Sequence, residues 1–446
     1  MDLIEKIYKA GVVGCGGAGF PTHIKLNCKV EYLIINGAEC EPLLRTDRYI
    51  MKNKAIEIIK AVEAVGKVVE AQQCIIVLKK TYHEEIKSLE TAIKELNSQV
   101  QLHQLDNFYP AGDEQIIVCE VTGRTVPPAG IPLDVGSVVS NTATMLCIYE
   151  AIQDKSFTHK YLTVTGEVKT PVVLYVPVGI TFEECLNKAG GALGEDYKII
   201  SGGPLMGSII NKNQAKTTYV TKTTSGIIVI PEDNHLALQS EVSVQHMLNR
   251  AKSACIQCSY CTELCPRNLI GHPLKPHKIM RKLAYNNISE MLDDEDVKQA
   301  LICCECGVCE IFACPMGLMP RKVNAFIKQE YAKSGIRYDK EQGEYLARDT
   351  REYRKIPSKR MAARSGLLKY YDYKIDTLVR LETNRVEIQL KQHIGAPAQP
   401  IVGVGDIVEE GQLIAGCERD KMGANLHASI SGKVIMVSDK IVIERQ

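Results

Sequence analysis

The distribution of cysteine constrains this chain more than any other feature of its sequence. Nine of the 17 cysteines lie between positions 255 and 314, and the other eight are scattered singly over the 446 residues. In a long chain such clustering is typical of metal binding, whereas a disulfide framework is typical of short secreted chains. The sequence therefore predicts a metal-binding domain, mostly helical, over residues 240–335.

Two blocks within this region have related spacings. The first, CIQCSYCTELCP (255–266), reads C-x2-C-x2-C-x3-C-P, and the second, CCECGVCEIFACP (303–315), has four residues before its Cys-Pro. In bacterial ferredoxins three such thiolates bind one 4Fe-4S cluster, and the Cys-Pro thiolate binds the cluster of the other block. We therefore expect one cluster on Cys255, Cys258, Cys261 and Cys314, and a second on Cys265, Cys303, Cys306 and Cys309.

Cys304 is out of phase with this spacing, so we expect it not to bind a cluster. Zinc is the alternative metal. It normally takes four tetrahedral ligands in two C-x2-C pairs, and two triples with two Cys-Pro positions fit that arrangement poorly. Two neighbouring clusters imply that the chain transfers single electrons.

Charge and hydropathy argue against two broad classes of protein. Lys and Arg (54) nearly balance Asp and Glu (53), so the chain lacks the overall positive field of a nucleic-acid-binding protein. No apolar run approaches the length of a membrane helix, and the N-terminus lacks the basic and apolar regions of an export signal. We expect a cytoplasmic chain without a transmembrane segment, whose partners are recognised locally.

Alternating strand-like and helical patterns predict an α/β, multidomain fold. The expected domains are a doubly wound α/β domain over residues 1–155, a β-grasp domain over 156–235, the ferredoxin-like domain over 240–335, a charged connector over 336–380 and a barrel-sandwich module over 381–446. In the β-grasp unit, Thr181 is expected to cap a helix. Residues 107–150 are rich in Gly and Pro, which favours a site built on loops, before a helix that starts near Asn141.

Two loops of the first domain are candidates for cofactor binding. The segment Gly14 to Gly19 satisfies G-x-G-x-x-G, but a helix and not a strand precedes it, so it is not a dinucleotide fingerprint. Its bare backbone amides and the ammonium of Lys25 are suited to a phosphate. The acidic loop from Asn36 to Pro42 follows the first strand, where open parallel sheets bind ligands, although an acidic solvated turn is the alternative.

The motifs GCGGAGFPTHIKL (14–26), NGAECEP (36–42), YPAGDEQ (109–115) and VSNTATM (139–145) resemble the family shared by the 51 kDa subunit of complex I and the RnfC subunit of the Rnf complex, which binds FMN and NADH. In this chain the sandwich module comes last. This order of domains resembles that of two groups within the family, the soluble cobalamin reductases of propanediol utilisation and the proline-reductase-associated electron-transfer proteins. The resemblance covers essentially the whole chain. It implies that FMN is bound by Gly14, Gly16, Gly17, Lys25, Asn36, Glu39, Glu41, Asn141 and Thr142, and that Tyr109 and Glu114 lie where the family positions the flavin and the nicotinamide.

Two residues depart from the complex I branch of this family. Cys15 stands where that branch has an Arg, and Ala38 stands where it has an Asp. The way the complex I branch binds nicotinamide therefore cannot be assigned in full to this chain. By similarity to the proline-reductase-associated proteins, Cys15 is either a redox-active thiol or a small residue that fits the loop. In the C-terminal module, Asp420-Lys421-Met422 is similar to the modified lysine of a carrier domain, but Rnf-type proteins carry this module unmodified.

The resemblance and the clusters together predict an enzyme, an NADH-dependent oxidoreductase. Electrons would pass from NADH through FMN and two 4Fe-4S clusters to a soluble acceptor system of the cobalamin-reductase or proline-reductase type. One alternative is a non-catalytic relay that takes electrons from another protein. The other is a peripheral subunit of an Rnf-type membrane complex. The expected partners are NADH, a redox protein or cobalamin-type acceptor and, in a homo- or hetero-oligomer, further chains. Association with a microcompartment or a membrane complex would follow from these relatives.

Overall fold

A four-stranded parallel sheet is the centre of the N-terminal domain in the computed structural model, which describes residues 2–340 and 343–446. Its order is β3-β2-β1-β5. The strands are β1 (Tyr32–Asn36), β2 (Gln73–Lys79), β3 (Gln101–Leu105), β4 (Phe108–Tyr109), which lies outside this sheet, and β5 (Ser137–Asn141). The helices are α1 (Leu3–Lys9), α2 (Thr22–Lys25), α3 (Thr46–Asn53), α4 (Ala55–Val68), α5 (His83–Glu95), α6 (Glu114–Thr122) and α7 (Thr142–Ile152).

Both faces of this sheet are buried, which confirms the doubly wound arrangement. Successive side chains of a strand point to opposite faces. In β1, Leu33 and Ile35 pack with α4, α5 and α7, whereas Ile34 packs with α6 on the other face. Asn36 and Asn141 are register partners at the carboxyl ends of β1 and β5. The loops that leave this edge therefore converge.

Helix α6 lies within the segment that the sequence predicted to be loop-built. Asp113 caps it by accepting hydrogen bonds from the amides of Gln115 and Ile116, and Gly123 ends it with a φ of 71°. Both are ordinary helix boundary signals. The surrounding Gly and Pro residues obscured them in the sequence.

The second domain is built on an antiparallel pair with one crossing helix. Its elements are β6 (His159–Gly166), β7 (Val172–Pro177), α8 (Phe182–Lys188), β8 (Tyr197–Ser201), β9 (Ser208–Asn211) and β10 (Gly226–Pro231). The sheet order is β7-β6-β10-β8-β9, with β10 parallel to β6. Thr181 caps α8 as predicted, because its hydroxyl accepts from the amide of Glu184 while the Glu184 carboxylate accepts from the amide of Thr181.

The cysteine-rich domain is helical, as predicted. It contains α9 (His235–Glu241), α10 (Val244–Ala254), α11 (Tyr260–Glu263), α12 (Pro266–Leu269), α13 (Pro276–Tyr285), α14 (Glu295–Lys298) and α15 (Pro320–Lys333). In the second cysteine block, Val308–Ala313 forms a π-helix. A π-helical turn holds one residue more than an α-helical turn, so it absorbs the additional residue before Cys314.

The remaining chain contributes strands to domains that precede it. Its elements are β11 (Ile356–Pro357), α16 (Ser358–Arg364), α17 (Leu368–Tyr371) and β12 (Leu378–Arg380). Strand β11 pairs with β4, and β12 adds a parallel strand to β7 at the edge of the second domain's sheet. Most of the predicted charged connector is therefore built into the domains. Glu341 and Gln342 of that connector, like Met1, lie outside the described residues.

The C-terminal module is a sandwich of two small antiparallel sheets around one apolar core. Its strands are β13 (Arg385–Gln389), β14 (Gln399–Pro400), β15 (Ile407–Val408), β16 (Leu413–Gly416), β17 (Leu426–His427), β18 (Gly432–Val437) and β19 (Lys440–Glu444). One sheet has the order β13-β19-β18-β15 and the other β14-β16-β17. This agrees with the barrel-sandwich fold expected from the sequence.

Among the described residues, none of the helices combines the length and the apolar character that crossing a membrane requires.

We expect Leu174→Ala to destabilise the second domain by about 2–5 kcal/mol, since Leu174 is fully buried in its core and truncation leaves a cavity. Native-state hydrogen exchange of the amides in β6 and β7 measures this change. Leu193→Ala is the control, because Leu193 is 58% exposed and its truncation should change stability by less than about 0.5 kcal/mol. Equal effects of the two substitutions would contradict the placement of β7 in the core.

Candidate functional site

A cavity of about 540 Å³ lies at the carboxyl edge of the parallel sheet. Its volume is within the range of small-molecule sites. The walls come from the glycine loop, α2, the ends of β1 and β5 and the start of α6. Seven of the residues predicted to form the cofactor site line it, namely Gly14, Gly16, Gly17, Lys25, Asn36, Glu114 and Asn141.

The glycine loop presents bare backbone to this cavity. A Cβ atom added at Gly17 would meet no protein atom within 4 Å, so the space in front of it is open. A Cβ at Gly16 would lie 3.2 Å from the side chain of Asn141, which places the loop against β5. Phe20, Ile131 and Leu133 add apolar surface. Open backbone beside apolar surface fits the phosphate-bearing chain and the planar ring of FMN.

Polar side chains of the cavity are already oriented by partners. The Lys25 ammonium lies 2.6 Å from the Glu114 carboxylate, and both side chains are partly exposed. The Asn36 amide donates to the carbonyl of Gly112 at 2.9 Å, and the Asn141 amide donates to the Asp47 carboxylate at 2.7 Å. Lys25 supplies the one cationic side chain among the described residues that line this cavity.

The other four predicted residues do not line this cavity. Glu39 and Glu41 line a neighbouring cavity of about 450 Å³, between the ends of β1 and β2 and residues 371–376. Tyr109 donates its hydroxyl hydrogen to the carbonyl of Cys306 at 2.7 Å. Thr142 is the first residue of α7 and is fully buried. Their predicted contact with FMN stays a prediction.

Burial sets the protonation of the two glutamates. It raises the pKa of Glu39 to about 8, with the nearby Asp47 carboxylate adding to the rise, and it raises the pKa of Glu41 to about 7. The Glu39 carboxyl accepts from the amide of Asp47, and Glu41 accepts from the amide of Leu205 at 2.7 Å. Glu39 therefore fixes the backbone of Asp47 through this hydrogen bond, and the Asp47 carboxylate in turn orients the side chain of Asn141 in the cavity wall.

The eight predicted cluster ligands form two separate cages. Cys255, Cys258, Cys261 and Cys314 surround one enclosed space, and Cys265, Cys303, Cys306 and Cys309 surround the other together with Cys304. Each Cys-Pro cysteine thus joins the cage of the other block. Over the described ranges, no group of three or more His, Cys, Asp or Glu side chains converges as a single metal ion would require.

The two cysteine loops have the same backbone course. Gln257 and Ser259 flank Cys258 with φ angles of 56° and 60°, and Glu305 and Gly307 flank Cys306 with 56° and 79°. This match makes Cys303 the counterpart of Cys255 and Cys304 the counterpart of Ile256. Cys304 therefore lines its cage in a position where the first block has no cysteine, which supports its exclusion as a ligand.

Hydrogen-bond donors already point at several of these sulfur atoms. The amide of Glu305 donates to Cys303 at 3.3 Å, and the amide of Leu318 donates to Cys314 at 3.3 Å. Donors at these positions stabilise the charged thiolates that a 4Fe-4S cluster requires. The cages fit the cluster in the chemistry of their ligands and in these surrounding donors.

The second cage packs directly on the N-terminal α/β domain. Arg267, two residues after Cys265, binds both oxygens of Asp113 at 2.9 Å. Asp113 is the residue between Gly112 and Glu114, which line the cavity of about 540 Å³. One short segment of chain therefore borders both the cavity and the second cage. No local sequence pattern identifies Arg267 or Asp47, because each acts through a partner far away in the chain.

The comparisons with known proteins cover each domain of this fold. Residues 7–150 match the Nuo51 FMN-binding domain, 161–208 the SLBB domain, 254–319 the 4Fe-4S dicluster domain and 375–446 the RnfC barrel sandwich hybrid domain. These matches confirm the predicted fold class and the resemblance to the family of the complex I 51 kDa and RnfC proteins. The chain carries an FMN-binding domain and a 4Fe-4S domain, and electron transfer through these groups is the activity that they support.

Several curated proteins are similar over long stretches. Cobalamin reductase PduS of Salmonella typhimurium is 38% identical over 442 residues, which cover 99% of this chain and 96% of that protein. Its namesake from Citrobacter freundii is 39% identical over 440 residues, which cover 98% and 95%. One subunit of the Na(+)-translocating ferredoxin:NAD(+) oxidoreductase complex of Acetobacterium woodii is 33% identical over 280 residues, which cover 60% and 58%. Among solved structures, an NAD+-reducing NiFe-hydrogenase in the H2-reduced state aligns with a TM-score of 0.48 at 18% identity, covering 76% of this chain and 63% of that chain.

We expect the chain to lose stability as the pH rises from about 4.5 to about 8, because Glu39 keeps its proton in the folded state while the unfolded chain has lost it. Glu39→Gln removes this titration, so the midpoint of thermal unfolding should fall less between about pH 6 and about pH 8 in the variant than in the parent. Glu90→Gln, at an exposed position of α5, is the control and should behave as the parent does. A pH dependence that Glu39→Gln leaves unchanged would contradict a protonated Glu39 in the folded chain.

Proposed function

Because this chain belongs to the family of the cobalamin reductase PduS, we propose that it is an NADH-dependent oxidoreductase that passes electrons through FMN and two 4Fe-4S clusters to a soluble acceptor system. The observation that carries this proposal is the contact between the second cysteine cage and the flavin-side domain. Tyr109 and Arg267 make that contact within a few residues of the flavin cavity. A flavin site next to a cluster site is what a converter between paired and single electrons requires.

We propose that the residues lining the first cavity hold FMN. The backbone of Gly14, Gly16 and Gly17 would face the phosphate and sugar chain, and Lys25 would supply positive charge. Asn36, Asn141 and Glu114 would orient the remaining polar groups. Bound FMN exchanges electrons in pairs with a nicotinamide and singly with a cluster, which is the chemistry that this site would gain from it.

The four predicted residues outside the cavity would act through neighbours, two on the cavity wall and two on the cluster domain. Glu39 fixes Asp47, which holds the amide of Asn141, and Thr142 begins the helix that Asn141 caps. Glu41 binds the amide of Leu205, whose carbonyl accepts from Arg321 beside the second cage. Glu41 and Tyr109 would therefore position the cluster domain and not the flavin.

We propose that the two cages hold one cluster each, with the ligands that line them. The cage of Cys265, Cys303, Cys306 and Cys309 would accept electrons first, because it contacts the flavin-side domain. The cage of Cys255, Cys258, Cys261 and Cys314 lies under an exposed loop, in which Ile256 is 61% exposed and Tyr260 is 50% exposed. That loop is where electrons would leave for the acceptor. A cobalamin-type acceptor follows from the relationship to PduS, and association with a microcompartment or membrane complex stays a prediction.

We expect NADH to bleach the flavin absorbance of the chain when it is prepared anaerobically and loaded with FMN and iron. Gly17→Val should abolish FMN binding and bleaching with the fold retained, because its side chain would fill the cavity without meeting the protein. Gly194→Val is the matched control, since Gly194 also has open space around it but is an exposed loop residue of the second domain. Flavin that stays oxidised with NADH but is reduced by a protein donor would favour the relay instead.

We expect about eight iron atoms per chain in the loaded protein, four for each 4Fe-4S cluster. Cys314→Ser should lose about half of this iron together with the electron paramagnetic resonance signal of one cluster, because it removes one of four ligands. Cys304→Ser should keep both clusters, since Cys304 is the counterpart of Ile256. Equal iron loss in these two variants would overturn the ligand assignment.

A further inference from the structure

Two cysteines outside the cluster blocks lie side by side behind the flavin cavity. The sulfur atoms of Cys15 and Cys147 are 3.9 Å apart, although 132 residues separate them in the chain. Cys15 belongs to the glycine loop and is 4% exposed, and Cys147 lies on α7 and is partly exposed. A disulfide has an S–S distance of about 2.05 Å, so a shift of about 2 Å would join the two sulfurs.

The surroundings favour a reactive thiol at Cys15. The hydrogen bond from the Cys147 thiol lowers the pKa of Cys15, against the opposing effect of burial, and the positive charge of Lys160 lowers it further. Lys222, whose side-chain nitrogen binds the carbonyls of Gly11 and Asn425, interacts electrostatically with both sulfurs, although burial lowers the pKa of Lys222 to about 7. The acidic groups near the pair are Asp47 on α3 and Glu150 on α7, and both oppose these effects. A thiolate beside cationic groups is the form that attacks disulfides.

The pair also joins two walls of the cavity. Cys15 lies between Gly14 and Gly16, which line the cavity, and its amide donates to the hydroxyl of Thr144 at 2.9 Å. Thr144 lines the cavity too and lies on α7, one turn before Cys147. A bond between the two sulfurs would therefore move the glycine loop relative to α7.

We propose that Cys15 and Cys147 form a reversible dithiol–disulfide pair, a redox site of this chain separate from the clusters. A small soluble disulfide, such as glutathione disulfide, reaches the partly exposed Cys147. The proton of Cys147 passes to the neighbouring Cys15 sulfur, and the Cys147 thiolate attacks the disulfide to form a mixed disulfide, releasing one glutathione thiolate. The Cys15 thiolate then attacks the sulfur of Cys147 and displaces the second thiol. Overall the glutathione S–S bond breaks and the Cys15–Cys147 bond forms, while the proton of Cys147 passes through Cys15 to one released glutathione thiolate and the other thiolate takes a proton from water. Excess glutathione reverses the reaction.

The test is chemical and needs neither NADH nor an electron acceptor. The full chain, loaded with clusters and kept anaerobic, is equilibrated with mixtures of glutathione and its disulfide, quenched with acid, alkylated and digested. Mass spectrometry should detect one peptide pair linked through Cys15 and Cys147, with a yield that rises with the disulfide fraction and returns to zero in excess glutathione. Cys147→Ser should abolish this pair, and Cys417→Ser should leave it unchanged. No linked pair at any ratio, or equal linkage through Cys28 or Cys417, would overturn the proposal.

A second measurement tests the coupling to the cavity, which rests on the proposed FMN site. The FMN concentration for half saturation should rise at least threefold in the linked form, and Cys147→Ser should show no such change under the same treatment. A linked peptide with unchanged FMN affinity would overturn the coupling while leaving the redox pair in place. Absence of FMN binding in every form, with the linked peptide still formed, would refute the proposed flavin site and not the pair.

Discussion

The ion pair between Arg267 and Asp113 holds the cysteine-rich domain to the edge of the parallel sheet. Both side chains are largely buried, and two N–H groups of the guanidinium bind the two carboxylate oxygens. Removing one partner of such a buried pair leaves an uncompensated charge and costs about 3–5 kcal/mol. Because Asp113 also caps α6, the same carboxylate fixes the helix that carries Glu114. The relative position of the glycine-lined cavity and the second cage therefore depends on this contact together with that of Tyr109 and Cys306.

The cages also link cofactor binding to folding. Burial raises the pKa of Cys261 to about 12, with the neighbouring cage cysteines adding to the rise, so the unloaded domain keeps this thiol protonated. Cluster assembly must remove such protons, and the cluster then supplies the positive charge that stabilises the buried thiolates. Much of the stability of the cysteine-rich domain should therefore come from its loaded form. Tyr109 and Arg267 pass part of that stability to the α/β domain.

Local signals in the sequence were sufficient for much of the fold. The helix after Thr181, the strand before Asn36 and the assignment of the cysteines to two groups follow from capping, periodicity and spacing. Local signals did not predict the contacts between segments that are far apart in the chain. The approach of Cys147 to Cys15, the contact of Tyr109 with Cys306 and the pairing of β11 with β4 join residues more than 100 positions apart. Within the site, the sequence placed Glu39 and Glu41 in the loop that follows β1. In the structure that loop directs both side chains to the neighbouring cavity and not to the glycine-lined one.

Strand β12 has a consequence for how the chain can be divided. It comes from the segment before the sandwich module, yet it completes the sheet of the second domain beside β7. A shortened chain that ends before Leu378 would expose the hydrogen-bonding edge of β7, and bare edges of this kind promote association between molecules. Fragments of this protein are therefore best cut after Arg380, so that the β-grasp sheet keeps the strand that covers the edge of β7.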